Sequence, residues 1–342
     1  MKAVYDPRQR AHDPRHFLSQ GRALPNPEQP ARVDALLAGL AAAGAELIAP
    51  MDYGRGPVAA VHTAEYLDFL ETIHARWTAM EGASAEVIPN VHPDRRNASY
   101  PSSPVGLAGW HQADTACPIG PDTWGAVYAS AQTALTACEL VMEGERVAYA
   151  LNRPPGHHAF ADVAGGFSFL NATAIVAERL RAAGRRPAIL DVDVHHGNGT
   201  QGIFHARGDV LTVSLHRDPA AYYPFFWGHA AERGEGAGEG ANLNLPLPAA
   251  TGDAEYLEAL KTAFARIRAF GTDVLVVALG LDAHEGDPLK GLRLTTAGLG
   301  RVGAAIEGLG LPTVLVQEGG YLQPALGDNL AAFLRGFEGR SS

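Results

Sequence analysis

Short strand-like segments at 2–5, 46–49, 147–151, 187–192, 210–215, 242–246, 273–280 and 312–317, several of them nearly continuous apolar runs, constrain this chain more than any other feature. Val274-Leu275-Val276-Val277-Ala278-Leu279 has no polar face, which fits a strand of a parallel sheet covered on both sides. Most of the runs are separated by Ala/Leu-rich amphipathic stretches such as 30–43, 125–142, 169–183 and 254–270. This alternation predicts an α/β fold, a mainly parallel sheet with helices on both faces. No repeat and no dividing linker appears, so 1–342 reads as one domain. A proline-, serine-, histidine- and glycine-bearing stretch at about 82–122 reads as an inserted loop, and a loop that long in a compact domain usually serves as a lid or a contact.

Chemistry concentrates where the apolar runs end. After Pro187-Ala188-Ile189-Leu190 comes Asp191-Val192-Asp193-Val194-His195-His196-Gly197-Asn198-Gly199-Thr200. In extended chain alternate side chains share a face, so Asp191, Asp193 and His195 point the same way. The bland reading has the two aspartates capping a strand end and the histidines at the surface. Two carboxylates converging on one side of a buried strand repel and desolvate each other, however, unless a cation or donors lie between them. Asp282 closes the run that begins at Asp273, and ligands in open α/β sheets gather at the carboxyl ends of strands. Asp193, His195 and Asp282 therefore make a three-ligand set that leaves a position for water, as in a catalytic zinc.

Two further segments supply acid–base groups. Arg153-Pro154-Pro155-Gly156-His157-His158 follows the run at 147–151, and its prolines and glycine argue against a packed helix face, so the tandem histidines read as acid and base in a cleft. Glu318-Gly319-Gly320-Tyr321 follows the run at 312–317, and a tyrosine behind two glycines can place a phenol on a developing oxyanion.

Together these segments, with Gly165-Gly166-Phe167, Val213-Ser214-Leu215-His216 and Gly286-Asp287-Pro288-Leu289, resemble the arginase/deacetylase superfamily. Within it the likeness is to the zinc deacetylases, which include histone deacetylases and acetylpolyamine amidohydrolases, and it spans nearly the whole chain. It implies an eight-stranded sheet whose carboxyl-edge loops form the active site, with zinc on Asp193, His195 and Asp282; iron(II) suits the same ligands. It implies a structural potassium held by Asp191, Asp193, His195, Ser214 and the Leu215 carbonyl. His157 resembles the inner histidine, oriented by Asp191, and His158 the general base and acid, with Asn198 where many relatives carry aspartate. Metal-activated water would attack an acetamide carbonyl while Tyr321 stabilises the oxyanion.

The resemblance also implies a substrate channel with Phe167 and Phe226 as aromatic walls, His216 and Tyr223 nearby, and Gly166, Gly319, Gly320 and Leu289 lining it. Tyr222, Tyr223 and Phe225 suit the core equally well. Arg32 resembles an arginine behind the metal that handles acetate, or it is a surface residue at a helix start. The insert at 82–122 and the segment from Arg217 to Gly228 are similar to those of acetylpolyamine amidohydrolases, which use the loop to build a dimer and narrow the mouth. Two features depart from polyamine-selective relatives. Val105 and Ala116 stand where those place glutamates, leaving Asp114 as the nearby acid, and Leu289 is like the leucine of lysine deacetylases. The expectation is a deacetylase of acetylated small amines, with protein lysine deacetylase as the alternative. A silent metal-binding or sensor protein is disfavoured by the retained His157, His158 and Tyr321.

Bulk properties agree. The chain has 342 residues, 46% hydrophobic and 19% charged, enough for a large core, and its net charge of −10 opposes nucleic acid while favouring cationic amines. Cys117 and Cys138 are too few for a disulfide framework. With no long apolar span and a first segment that reads as a strand, no membrane partner is expected, and the cytoplasm is the expected compartment.

Overall fold

In a computed structural model, residues 1–94 and 98–339 are described. Residues 95–97 of the insert and 340–342 lie outside them. The strands are β1 (Lys2–Val4), β2 (His16–Ser19), β3 (Arg22–Pro25), β4 (Glu46–Ile48), β5 (Val147–Ala150), β6 (Pro187–Asp191), β7 (Leu211–Arg217), β8 (Asn242–Leu247), β9 (Val274–Leu279) and β10 (Thr313–Gln317). The helices are α1 (Arg32–Ala43), α2 (Gly56–Ala59), α3 (Ala64–Thr78), α4 (Pro104–His111), α5 (Thr123–Met142), α6 (Ala172–Ala182), α7 (Asn198–Phe204), α8 (Asp253–Phe270), α9 (Thr296–Glu307) and α10 (Leu326–Phe337). Each apolar run named above became a strand of one eight-stranded sheet, ordered β4-β1-β5-β10-β9-β6-β7-β8 with every pairing parallel. β2 and β3 form a separate antiparallel hairpin.

Period-2 alternation explains why the runs look continuous. Leu275, Val277 and Leu279 of β9 enter the core shared with α1, α8, α9 and α10, whereas Val274 and Val276 enter the core shared with α5 and α6. Both faces are dry, so no polar face is visible in the sequence. A third cluster packs α3 against α4 and α5 and takes in Val87, Leu107 and Ile119 of the insert. An antiparallel bridge between Val87 and Ile119 closes the insert's base. Among the described residues no helix is long and apolar enough to cross a membrane.

Helices α3, α9 and α10 and the β2–β3 hairpin are not among the segments named from the sequence. Their local signals are nevertheless ordinary: Thr63 and Thr295 cap α3 and α9 by accepting from Tyr66 N–H and Gly298 N–H. The four central strands β5, β10, β9 and β6 are neighbours, so residues 152–158, 318–321, 280–282 and 191–195 at their carboxyl ends come together at one edge of the sheet, where ligands of open α/β sheets gather.

Candidate metal centre and active site

Past the end of β6 the strand-like alternation continues. Val192 and Val194 turn into the core, and Asp191, Asp193 and His195 face the crevice side. His195 Nδ1 lies 3.1 Å from Asp193 Oδ1 and 3.2 Å from Asp282 Oδ2. Candidate ligand atoms of all three residues fall within 4.8 Å of one another, and all three are buried. Asp193 Oδ2 accepts from Gly319 N–H (2.8 Å) and Asp282 Oδ1 from Val194 N–H (3.0 Å), which aims the remaining oxygens inward. Asp282 Oδ2 is buried and accepts no well-formed hydrogen bond, with the His195 imidazole 3.2 Å away as its ion-pair partner. A carboxylate oxygen held so loosely at such depth is costly unless a cation meets it. Two carboxylates and one imidazole in this arrangement fit a zinc-like divalent ion.

The electrostatics point the same way. Burial disfavours the charged form of His195, yet its contacts with Asp193 and Asp282 push it up to about 9. Burial likewise opposes protonation of His157, but Asp193 and Asp191 drive it up to about 10. The carboxylates thus draw protons onto their neighbours, as expected of a cluster built around positive charge. A dication bound by the trio displaces the proton on His195.

The tandem histidines differ in their partners. His157 donates from Nδ1 to Asp191 Oδ2 at 2.9 Å, and His158 donates from Nδ1 to the amide oxygen of Asn198 at 2.7 Å. Each therefore keeps Nε2 for the crevice. Burial, with two neighbouring imidazoles, holds His158 well below the usual histidine range, so it stands neutral and able to accept a proton. The turn carrying the pair is pinned by Glu318, which accepts from Gly156 N–H (2.5 Å), His157 N–H (3.0 Å) and the Thr173 hydroxyl (2.7 Å). Sequence reasoning assigned Glu318 no task. Its position, just before the paired glycines and at a strand end, was the available signal.

Tyr321 is buried and its phenol is pushed well above its ordinary value, so it remains a neutral O–H donor. Its N–H donates to Asp287 Oδ2 (2.9 Å), and the Arg32 guanidinium lies 4.8 Å from its ring centroid. Arg32 is fully buried, which excludes the surface reading: Nε donates to the Gly320 carbonyl (2.6 Å), one terminal nitrogen to the Glu318 carbonyl (2.7 Å) and the other to Glu28 (2.7 Å). A Cβ on Gly319 would stand 2.2 Å from Asp282 Oδ2 and 2.5 Å from Asp193 Oδ2, so only glycine lets this loop lie against the metal carboxylates.

The aromatic walls require a correction. Phe167 packs edge-on to Tyr321 at 5.7 Å, as a wall should, but Phe226 is 81% exposed. The ring that meets His158, edge-on at 5.0 Å, belongs to Tyr223. Beyond Pro224 the chain passes through a left-handed Phe225 (φ 61°), and both phenylalanines project outward. Tyr222 stacks on His195 at 5.0 Å and donates its hydroxyl to the Leu289 carbonyl (2.9 Å). The parallel register of β6 and β7 sets Ser214 beside Asp191, while the Ser214 hydroxyl lies 2.8 Å from His216 Nδ1. Leu215 is buried at the same strand end. Val105 and Ala116 are half-buried in the insert. Asp114 also lies there, with its oxygens already engaged by protein donors.

A family model described as the histone deacetylase domain matches residues 26–337. Acetylpolyamine amidohydrolase 1 of Pseudomonas aeruginosa is 46% identical over 344 aligned residues, covering 99% of both chains. The acetylpolyamine amidohydrolase of Burkholderia pseudomallei is 46% identical, covering 98% of each. A crystal structure of the acetylpolyamine aminohydrolase from Burkholderia pseudomallei superposes with a TM-score of 0.95 at 45% identity over 98% of both chains.

Proposed function

This chain belongs to the histone deacetylase family, and from that premise we propose that it is a zinc-dependent amidohydrolase removing acetyl groups from acetylated small amines of the polyamine or diamine type. The observation that carries the reading is the buried Asp193–His195–Asp282 cluster beside two differently partnered histidines, in a chain aligned end to end with acetylpolyamine amidohydrolases. Asp193, His195 and Asp282 would hold the zinc, which when bound polarises the acetamide carbonyl and acidifies water. His158 takes the proton of the attacking water at Nε2, while Asn198 fixes its tautomer. His157, oriented by Asp191, supplies the positive charge and hydrogen bond that steady the water. Tyr321 donates to the carbonyl oxygen as charge develops there, and the protonated histidine then gives its proton to the leaving amine. Phe167 and Tyr223 flank the acyl-amine chain, with Gly166, Gly319, Gly320 and Leu289 lining it and Phe226 at the rim.

The same reading includes a structural potassium on Asp191, Asp193, His195, Ser214 and the Leu215 carbonyl, iron(II) as an alternative occupant of the zinc ligands, a homodimer formed through the 82–122 insert, and a cytoplasmic location. Val91 and Tyr100, each 50% exposed on the insert, support a contact role for it. A second reading, protein lysine deacetylase, is favoured by Leu289, a residue that cannot pair with a cationic amine. The test compares turnover of an N-acetyl diamine with that of an acetyl-lysine peptide on zinc-reconstituted protein, with Asp282→Ala as the blank. Faster diamine turnover supports the first reading. Preference for the peptide selects the second, and activity surviving in the blank removes the metal from the reaction.

A further inference from the structure

The activity proposed above leaves Asp114 unused. One of its oxygens, Oδ2, accepts from the Tyr223 hydroxyl at 2.7 Å and from Gly166 N–H at 3.0 Å, while Oδ1 accepts from Ala116 N–H at 2.8 Å. The two donors on Oδ2 come from two adjoining segments, one carrying Phe167 and the other Tyr223. Gly166 (φ 52°) and Phe167 (φ 69°) form a left-handed turn that sets the Phe167 ring against Tyr321, and such a turn at a phenylalanine persists only where its surroundings hold it. In the other segment, Tyr223 stands edge-on to His158. A Cβ on Gly166 would lie 2.5 Å from the His158 ring and 2.9 Å from the Tyr223 ring, so the walls meet without slack. An apolar wall needs no hydroxyl, yet this one carries a phenol bonded to a carboxylate, a charge-assisted and directional contact.

We propose that Asp114 is a positioning residue that ties both aromatic walls to one carboxylate oxygen, fixing the width of the channel and with it the preference for slender aliphatic amides over branched ones. The inference rests on the amidohydrolase reading for its substrate and on the hydrogen bonds above for its geometry. Asparagine does not replace the acid. If its oxygen serves Tyr223 and Gly166, its amide nitrogen meets Ala116 N–H, donor against donor.

The experiment uses the zinc-loaded wild type, Asp114→Ala, Asp114→Asn, Tyr223→Phe and the double variant Asp114→Ala/Tyr223→Phe. Steady-state kinetics are read with a linear N-acetyl diamine and with an N-acetylamine branched next to the amide nitrogen. Each variant is expected to raise KM for the linear substrate about tenfold with kcat within about threefold, and to lower the linear-to-branched ratio of kcat/KM about tenfold. Tyr223→Phe should add nothing to Asp114→Ala, because its partner is already gone. An unchanged ratio in Asp114→Ala at full zinc content overturns the proposal, and so do fully additive effects. Should Asp114→Ala fail to fold, Tyr223→Phe, which loses a single hydroxyl, carries the same ratio test. Wild type inactive on every acetylated amine would count against the function reading alone. The latch is then judged by thermal unfolding of the wild type and the Asp114→Ala, Tyr223→Phe and double variants, where non-additive melting shifts support it and additive ones refute it.

Discussion

Gly319→Ala tests whether the loop after β10 is built against the metal carboxylates. The new methyl group would start 2.2 Å from Asp282 Oδ2 and 2.5 Å from Asp193 Oδ2, where ordinary contact begins at 3.4 Å. Asp282 Oδ2 must therefore retreat by about 1.2 Å (3.4 less 2.2), and metal–ligand distances tolerate only about 0.2 Å. Backing the loop away instead breaks the 2.8 Å bond from Gly319 N–H to Asp193. The first movement takes one of three candidate ligands out of reach, and the second removes the donor that orients another. With about 10–16 kcal/mol for a four-ligand structural zinc, one ligand is worth about 3 kcal/mol, or roughly a hundredfold in affinity. Overpacking adds about 1–3 kcal/mol of destabilisation. Competition with a chromophoric chelator measures the affinity, and thermal unfolding of the metal-free protein measures the strain. Gly125→Ala is the control. It is an exposed site within α5 where a Cβ meets nothing within 4 Å, and it should leave zinc binding untouched while stabilising the fold by up to about 1 kcal/mol. Wild-type zinc affinity in Gly319→Ala would refute the reasoning.

Tyr321→Phe should lower kcat by about two to three orders of magnitude with full zinc content, measured by turnover alongside metal analysis; wild-type turnover would remove the phenol from oxyanion stabilisation. Asn198→Asp places a carboxylate 2.7 Å from His158 Nδ1, which favours the protonated imidazole. Because the base must be unprotonated, the acidic limb of the kcat/KM profile should move up by about 1–3 pH units, and an unmoved limb would unseat His158 as that base. Acid should destabilise the fold through buried histidines outside the candidate metal trio. Burial holds His12 down to about 3 and His62 down to about 4, and His62 Nε2 must stay neutral to accept from Asn171 N–H. Their folded values lie below the unfolded 6.5, so the unfolded chain takes up protons first: stability is intact above pH 6.5 and is lost as pH falls toward 4 and then 3. Denaturant unfolding at pH 7.5, 6 and 5 should fall by up to about 1.4 kcal/mol per pH unit for each histidine, and a flat profile would refute the assignment.

The central strands β5, β10, β9 and β6 were legible because they are buried on both faces, which leaves nearly unbroken apolar runs, whereas the edge strand β4 is largely exposed and β8 alternates asparagine with leucine. The candidate metal trio was legible for a related reason: Asp193 and His195 continue the period-2 spacing from Asp191, the last ladder residue, and Asp282 stands just past the end of another run. What escaped depended on partners distant in sequence. Phe226 and Tyr223 are equally aromatic, and nothing local says that Asp114, 109 residues away, bonds the hydroxyl of one while the other turns to solvent. Glu318 offered a carboxylate at a strand end, but its bonds to Gly156 and His157 span more than 160 residues. Arg32 opens α1 as many surface arginines do. Its burial follows from Glu28 one turn earlier and from two carbonyls of the loop after β10.

The charges at this end of the sheet suit a cation at the candidate centre. Among the described residues, six buried acids gather about the trio and the loops it touches, Glu28, Asp191, Asp193, Asp282, Asp287 and Glu318, and a seventh at this end, Asp6, pairs with Arg8 past the end of β1. Glu28 is met by Arg32 and Arg153, whose further hydrogen bonds go to backbone carbonyls rather than to the trio, with Arg153 Nε left without a partner. Burial pushes Asp287 and Glu318 up to about 7 and so reduces their charge near neutrality. The negative charge left on Asp191, Asp193 and Asp282 is balanced by protons on His157 and His195, whose pKa values the carboxylates raise. A dication bound there would take over the share of that balance held by His195, which would become a ligand, while His157 would keep its proton beside the base, so the groups that neutralise these carboxylates are the same ones the proposed hydrolysis uses.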